Sequence, residues 1–274
     1  MRPSNISLHN GVQIPEFGLG VFKVEEGTQI EKTIGTAIDL GYRLIDTATF
    51  YENEEGVGRA VREASVPREE LFVTTKVWNS DQGYDETLRA FETSQKKLGL
   101  DVIDLYLIHW PVVGKYKDTW RALERLHDEG SVRAIGVSNF QTHHLEDLMA
   151  RANEKPTVNQ VELHPLLSQE PLREFCAAQD IKVEAWSPIS RGRFLENPTL
   201  LHLAEKYGKT PAQLILRWHV QHGIIAIPKS VTPARLQENI SIFDFELSAQ
   251  DVKTIDLMNE NQRFGADPDN LIFK

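Results

Sequence analysis

Eight short apolar runs, separated by stretches of helical period, constrain this chain more than any other feature. They occupy residues 17–21, 43–46, 71–76, 103–109, 133–138, 157–163, 182–186 and 224–228. Strand-like runs that alternate with amphipathic helices imply βαβ units and a parallel sheet. Eight units in 274 residues match an α/β fold of the (β/α)8 TIM barrel type.

The segments between the runs carry helical punctuation. Thr28-Gln29-Ile30-Glu31 predicts a capping box, Ile30, Ile34, Ala37 and Ile38 share one face, and Gly41 is placed to end the helix. Asn53 is a candidate N-cap ahead of Val57, Ala60, Val61 and Ala64. Residues 118–130 repeat the pattern with Trp120, Leu123 and Leu126. Two helices, 198–207 and 211–221, are expected between the seventh and eighth runs, one more than a bare barrel needs. Ahead of the first run, residues 5–15 read as a β-hairpin, with Asn10-Gly11 supplying the two positive-φ positions of a tight turn. No linker or repeat divides the chain, so one domain over 1–274 is expected.

Charge and composition narrow the class. A formal charge of −10 argues against nucleic-acid binding, which needs a basic surface. No apolar run reaches 18 residues and MRPSNISLHN has no apolar core, so neither a membrane span nor a secretory leader is expected. A single cysteine, Cys176, fits a reducing, cytoplasmic setting. A monomer is the default.

Chemistry enters at the ends of the runs. Asp46, Lys76 and His109 close the second, third and fourth, and Tyr51 follows in a polar turn. Taken singly, each has a structural explanation: a turn acid, a half-buried aromatic, a solvated lysine, a core histidine. Together they fall on one face of a barrel, where consecutive strand ends meet. A free phenol, with a pKa of about 10, is a poor acid near neutrality. A nearby ammonium is expected to lower that value, and a carboxylate paired with the lysine to keep it charged. His109 is left to orient a substrate carbonyl. Such a site protonates a carbonyl oxygen while a hydride donor attacks the carbon.

A hydride donor implies a cofactor. Gly18 and Gly20 form GxG, but Lys23 stands where a dinucleotide fingerprint needs a third glycine. Barrels instead bind phosphate after strands 7 and 8. Here Lys229, Ser230 and Arg235 open a short helix, either as solvated charges or as an anion site. Two cations suit a 2′-phosphate, hence NADPH over NADH. Phe22, Trp78, Trp110 and Trp186 follow strand ends and read as packing or as a pocket wall, with Trp186 the candidate to stack on nicotinamide.

The motifs GYRLIDTA, YENE, ELFVTTKVWN, DLYLIHWP, IGVSNF, NQVELHP, EAWSP, KTPAQLILRWH, IPKSVTP and DPDN occur in order over nearly the whole chain. With them it closely resembles the aldo-keto reductases, in particular the bacterial 2,5-diketo-D-gluconic acid reductases and related glyoxal or methylglyoxal reductases. The resemblance implies a barrel closed below by the hairpin and a catalytic tetrad of Asp46, Tyr51, Lys76 and His109, with Tyr51 the proton donor. It implies that Ser138, Asn139 and Gln160 hold the nicotinamide carboxamide, that Trp186 stacks on its ring, and that Ser187 and the loop after it cover the pyrophosphate. By the same resemblance Lys229, Ser230, Val231 and Arg235 take the 2′-phosphate end, Glu238 and Asn239 the adenine, while Phe22, Trp78, His109 and Trp110 line the substrate pocket. Ser190-Arg191 and Thr49-Phe50 depart from the family pattern, and are expected to alter the cofactor flap and narrow the pocket.

The expectation is therefore an NADPH-dependent reductase of small aldehydes, ketones and α-dicarbonyls, with a short loop after the fourth strand, a short tail and no metal. Two other readings stand beside it: a barrel that binds NADPH without turnover, and a lyase using Lys76 as a Schiff base.

Overall fold

A computed structural model describes residues 3–271. An antiparallel pair, β1 (Asn5–Ser7) and β2 (Gln13–Pro15), precedes eight parallel strands: β3 (Gly18–Gly20), β4 (Leu44–Asp46), β5 (Phe72–Val77), β6 (Ile103–Ile108), β7 (Val132–Ser138), β8 (Val158–Glu162), β9 (Lys182–Trp186) and β10 (Ile225–Ala226). Neighbours in space are neighbours in sequence from β3 to β10. The ring closes at a parallel bridge between Phe17 and Ala226, where Ala226 N donates to Glu16 O at 3.2 Å and Gly20 N to Pro228 O at 3.4 Å. Each of the eight apolar runs has become one barrel strand.

Helices link the strands: α1 (Thr28–Leu40), α2 (Glu54–Arg62), α3 (Tyr84–Leu98), α4 (Tyr116–Asp128), α5 (Thr142–Met149), α6 (Glu170–Ala178), α7 (Pro198–Tyr207), α8 (Pro211–Gln221), α9 (Pro233–Ile240) and α10 (Ala249–Asp256). The two helices expected between the last two strands are α7 and α8, at the anticipated bounds. None of the described helices is long and apolar enough to cross a membrane.

Side-chain alternation along the strands separates two cores. One parity faces the helices and builds the large shell that includes Ile45, Val73, Tyr106, Ile135 and Ala185. The other points into the barrel, where Leu44, Phe72, Leu105, Leu107, Ala134, Val158 and Ile225 pack against Leu8 and Ile14 of the hairpin. The hairpin therefore plugs the end at which the strands begin. His9 and Asn10 fix it there, on Pro156 O at 3.2 Å and Arg133 O at 3.1 Å. The described core holds the inward parity of the opposite end free for polar groups.

Three local expectations are corrected. The hairpin turn is wider than two residues: Leu8 N donates to Val12 O, Gly11 alone of the Asn10-Gly11 pair has positive φ, and Asn10 reaches β7 instead. The capping box at Thr28 does not form, because Gly27 is the N-cap and the Glu31 carboxylate binds Arg59 Nε of α2 at 2.5 Å. Asn53 is the N-cap residue of α2 as expected, but its side chain makes no cap bond; it accepts from Thr47 Oγ1 and donates to Val21 O and Val24 O, tying three loops together. Gly41 does end α1, at φ 106°.

The GxG pair also finds its reason. A Cβ on Gly18 would lie 2.5 Å from Leu44 Cγ, and one on Gly20 would lie 2.9 Å from Ile227 O. Gly18 makes room for the Leu44 side chain of β4, and Gly20 lets β3 approach the closing strand.

Candidate active site

Asp46, Lys76, His109, Ser138, Gln160 and Trp186 come from successive strands and share the inward parity, so they converge at the end where the strands finish. Tyr51 joins them from a 3-10 turn, Thr49–Tyr51, whose Thr49 Oγ1 donates to Lys76 O at 3.0 Å.

The Lys76 ammonium is fully buried and directs its three donors to Asp46 Oδ1 at 2.7 Å, Thr47 O at 2.9 Å and Tyr51 OH at 3.4 Å. The second oxygen of Asp46 accepts from Gln160 Nε2 at 2.7 Å. Burial works against the ammonium, but Asp46, the Tyr51 oxygen and Glu184 outweigh it and hold the Lys76 pKa above its ordinary value. Burial raises Asp46, with Lys76 and Gln160 pulling it back. A lysine held protonated in this way is a poor Schiff-base nucleophile.

One electrostatic expectation is overturned. The phenol of Tyr51 is not brought below its ordinary pKa; burial raises it, Lys76 opposes the rise, and Asp46 and Glu184 add to it. The lysine limits the cost of burying a phenolate and does not create a free one at neutral pH. The phenol thus keeps its proton until a stronger base arrives.

His109 faces Tyr51, with ring centroids 5.8 Å apart at 76°. Burial and the Lys76 charge lower its pKa well below the usual value, so the imidazole is neutral. Its Nδ1 is buried without a hydrogen-bond partner among the described residues. Around the pair, Phe22 lies 4.9 Å from Tyr51, Trp78 lies 5.0 Å from His109 edge to face, and Trp110 stacks 6.4 Å from His109. Phe50, expected to narrow the pocket, stacks on Trp78 at 3.9 Å and is half exposed.

The polar groups expected around nicotinamide form one hydrogen-bonded set. Ser138 Oγ donates to Gln160 O, Asn139 Nδ2 to His109 O, and Trp186 Nε1 to Asn139 Oδ1 at 2.8 Å. Asn139, Ser187, Ser190 and Arg191 all have positive φ without being glycine, a concentration of backbone strain at the strand-end loops. Ser190 Oγ is buried with no partner among the described residues.

Beyond β10, Ser230 Oγ accepts from Thr232 N, the N-cap residue of α9, and Val231 is half-buried beside it. Lys229 and Arg235 are exposed, and among the described residues neither is paired with a carboxylate. Asn239 is buried on α9. Glu238 is partly committed elsewhere, since its carboxylate accepts from Thr210 Oγ1 of α8 at 2.8 Å.

Two acids escaped the reading of motifs. Glu162 is fully buried at the end of β8 and accepts from Phe264 N at 2.8 Å and Gly265 N at 2.9 Å. Burial opposes its ionisation, but His164 and those two amides hold its pKa below the usual range. It thereby ties the chain after α10 against Trp186: a Cβ on Gly265 would stand 2.3 Å from Trp186 Cη2. Glu184 is fully buried inside the barrel, two residues before Trp186. The usable signal was the parity it shares with Trp186.

Among the described residues, one group could be taken for metal ligands: His143, His144 and Asp269. His144 Nδ1 accepts from Gln141 N at 3.1 Å, so a neutral ring carries its proton on Nε2, which points at Asp269 Oδ1 from 3.4 Å. The trio is a latch between α5 and the tail.

A buried carboxylate, ammonium and phenol in series at the open end of a closed eight-stranded barrel is a specific arrangement, and the sequence pattern of the aldo/keto reductase family matches residues 17–260. The chain belongs to the aldo/keto reductase family. This aldo/keto reductase is 58% identical to glyoxal reductase of Bacillus subtilis over 98% of its own length and 97% of the relative's. It is 46% identical to methylglyoxal reductase DkgA of Salmonella typhimurium, with 98% of each chain covered. Among solved structures, a mutant of Gox0644 in complex with NADPH superposes with a TM-score of 0.94 at 45% identity, covering 100% of both chains. The family assignment makes the protein an oxidoreductase and agrees with the barrel and its hairpin plug.

Proposed function

We propose that this aldo/keto reductase reduces small aldehydes, ketones and α-dicarbonyls of the glyoxal and methylglyoxal type with NADPH, and that Tyr51 is the general acid. The observation that carries the reading is the chain of contacts from Asp46 through Lys76 to the Tyr51 oxygen, with neutral His109 facing the same phenol. Support for the substrate class comes from the glyoxal and methylglyoxal reductases among the relatives. Support for the cofactor comes from the NADPH complex of the structural neighbour and from Lys229 and Arg235, before and in the first turn of α9 and without a carboxylate partner among the described residues, a chemistry that suits a 2′-phosphate.

The residues fit the cofactor. Ser138, Asn139 and Gln160 offer amide and hydroxyl groups on one side of the barrel mouth, and Trp186, held by Asn139, offers a fixed aromatic face. Ser187 and the strained loop after it would cover the pyrophosphate, with Lys229, Ser230, Val231 and Arg235 taking the 2′-phosphate end and Asn239 and Glu238, on α9, the adenine. NADPH, when bound, supplies the hydride to the carbonyl carbon.

The protein's own groups perform the remaining steps. Neutral His109 donates a hydrogen bond to the carbonyl oxygen and sets its direction. Phe22, Trp78, Trp110 and Phe50 exclude water and hold a small carbonyl compound against it. As charge builds on the oxygen, the phenol of Tyr51 gives up its proton to what is becoming an alkoxide, a far stronger base than water. Lys76 then stabilises the phenolate, and Asp46 keeps Lys76 charged and aimed.

Tyr51→Phe tests the assignment. Its kcat should fall by about 10²–10⁴-fold with methylglyoxal, while NADPH affinity stays near that of the wild type. Turnover close to the wild-type rate would remove Tyr51 from the role.

A further inference from the structure

Glu184 is a carboxyl group with no assigned task in the middle of the barrel. Its side chain is fully buried, and neither oxygen has a hydrogen-bond partner among the described residues. The register explains why it points inward. Glu184 lies between Gln160 of β8 and Ile225 of β10, both on the interior parity. The Gln160 amide beside it donates to Asp46 Oδ2, so Glu184 stands at the rear of the line that runs through Asp46 and Lys76 to Tyr51.

An isolated carboxylate in such a place is costly, whereas a carboxylic acid is tolerated. We propose that Glu184 is a positioning residue that works as a neutral acid: by keeping its proton it leaves Asp46 as the counter-charge of Lys76, so that the ammonium's field falls on the Tyr51 oxygen. The proposal rests on Tyr51 being the acid of the reaction.

Charge counting gives the reason. With Glu184 neutral, Asp46 and Lys76 cancel, and the Tyr51 phenolate formed in turnover adds a single negative charge. With Glu184 ionised, the protein's own groups in this dry site would carry two net negative charges at that step instead of one. The charged groups acting on Glu184 are Asp46 from β4 and Lys76 from β5; from β8 it meets Gln160, β10 offers only Ile225 and Ala226, and Tyr51 feels it from the turn after β4. Burial, helped by Asp46 and opposed by Lys76, pushes its pKa up to about 8. The acid is therefore protonated at neutral pH and ionises in mild alkali, where Tyr51 becomes a weaker proton donor.

Two measurements test this. Glu184→Gln is neutral at every pH, so the ratio of its kcat to that of the wild type should rise by about tenfold between pH 7 and pH 9. A merely structural role would change kcat by a factor independent of pH, and that flat ratio would overturn the proposal. The second is infrared spectroscopy of the wild-type protein without cofactor, which does not depend on the variant folding. A protonated-carboxyl C=O band should be present at pH 7 and fade towards pH 9. An active enzyme with no such band would sink the role of Glu184 alone. A band in a protein inert towards every carbonyl compound would instead overturn the reductase reading on which the role depends.

Discussion

Replacing Lys76 by methionine separates what the buried ion pair does for folding from what it does for chemistry. The side chains of Lys76 and Asp46 are 0% and 2% exposed. Removing one member of such a pair typically costs about 3–5 kcal/mol, because the other is left charged and unpaired. Asp46 would keep its bond from Gln160, which places Lys76→Met near the lower end, about 3 kcal/mol. That is a fifth or more of a typical stability of about 5–15 kcal/mol, and guanidinium denaturation will read it as a lower midpoint with an unchanged slope.

The pH dependence carries the sign. Without Lys76, burial holds the Asp46 carboxyl further above its unfolded value. The folded state then keeps a proton that the unfolded state releases, and stability falls as pH rises above about 4 by up to about 1.4 kcal/mol per unit. The deficit of Lys76→Met is thus smallest in acid and grows towards neutrality. Adding Asp46→Asn removes the stranded charge and restores most of the stability, while turnover stays low because nothing offsets burial at the Tyr51 oxygen. The reasoning fails if the single variant shows the same deficit at pH 4.5 and pH 8, or if the double variant is no more stable than the single one.

Other expected outcomes follow from the site's rim. Gly265→Ala places a methyl group against Trp186 and the Glu162 carboxylate, an overpacking of about 1–3 kcal/mol. NADPH affinity, followed by quenching of tryptophan fluorescence, should weaken several-fold, and an unchanged Kd would show that the tail does not set the ring. Lys229→Ala and Arg235→Ala should each weaken NADPH by about 10–100-fold and NADH far less. Equal losses for the two dinucleotides would remove the 2′-phosphate from this site.

Much of the fold was legible because a barrel strand is a local object. A run such as Leu105–Ile108 is apolar throughout since both of its faces are covered, and its polar successor, His109, marks where the barrel interior turns polar. That Asp46, Tyr51, Lys76 and His109 meet was legible for the same reason. What the chain hid depends on partners distant in sequence. Thr28 and Glu31 have the letters of a capping box, but Gly27 takes the cap and Arg59 takes the acid. Glu184 has no role legible in the sequence, and it is the register with Gln160 and Ile225 that turns it inward. Lys76 was rightly placed beside Tyr51, yet the direction of the phenol's shift followed from how deeply both are buried.

The hairpin plug has a practical meaning. Leu8 and Ile14 fill one pole of the barrel while Tyr51 and Trp186 stand at the other, and the segment around Gly265 leans on Trp186 itself. A tether or affinity tag joined ahead of β1 leaves the mouth facing the bulk solution on a sensor chip or resin. The same handle joined behind the tail pulls on the segment that packs against Trp186.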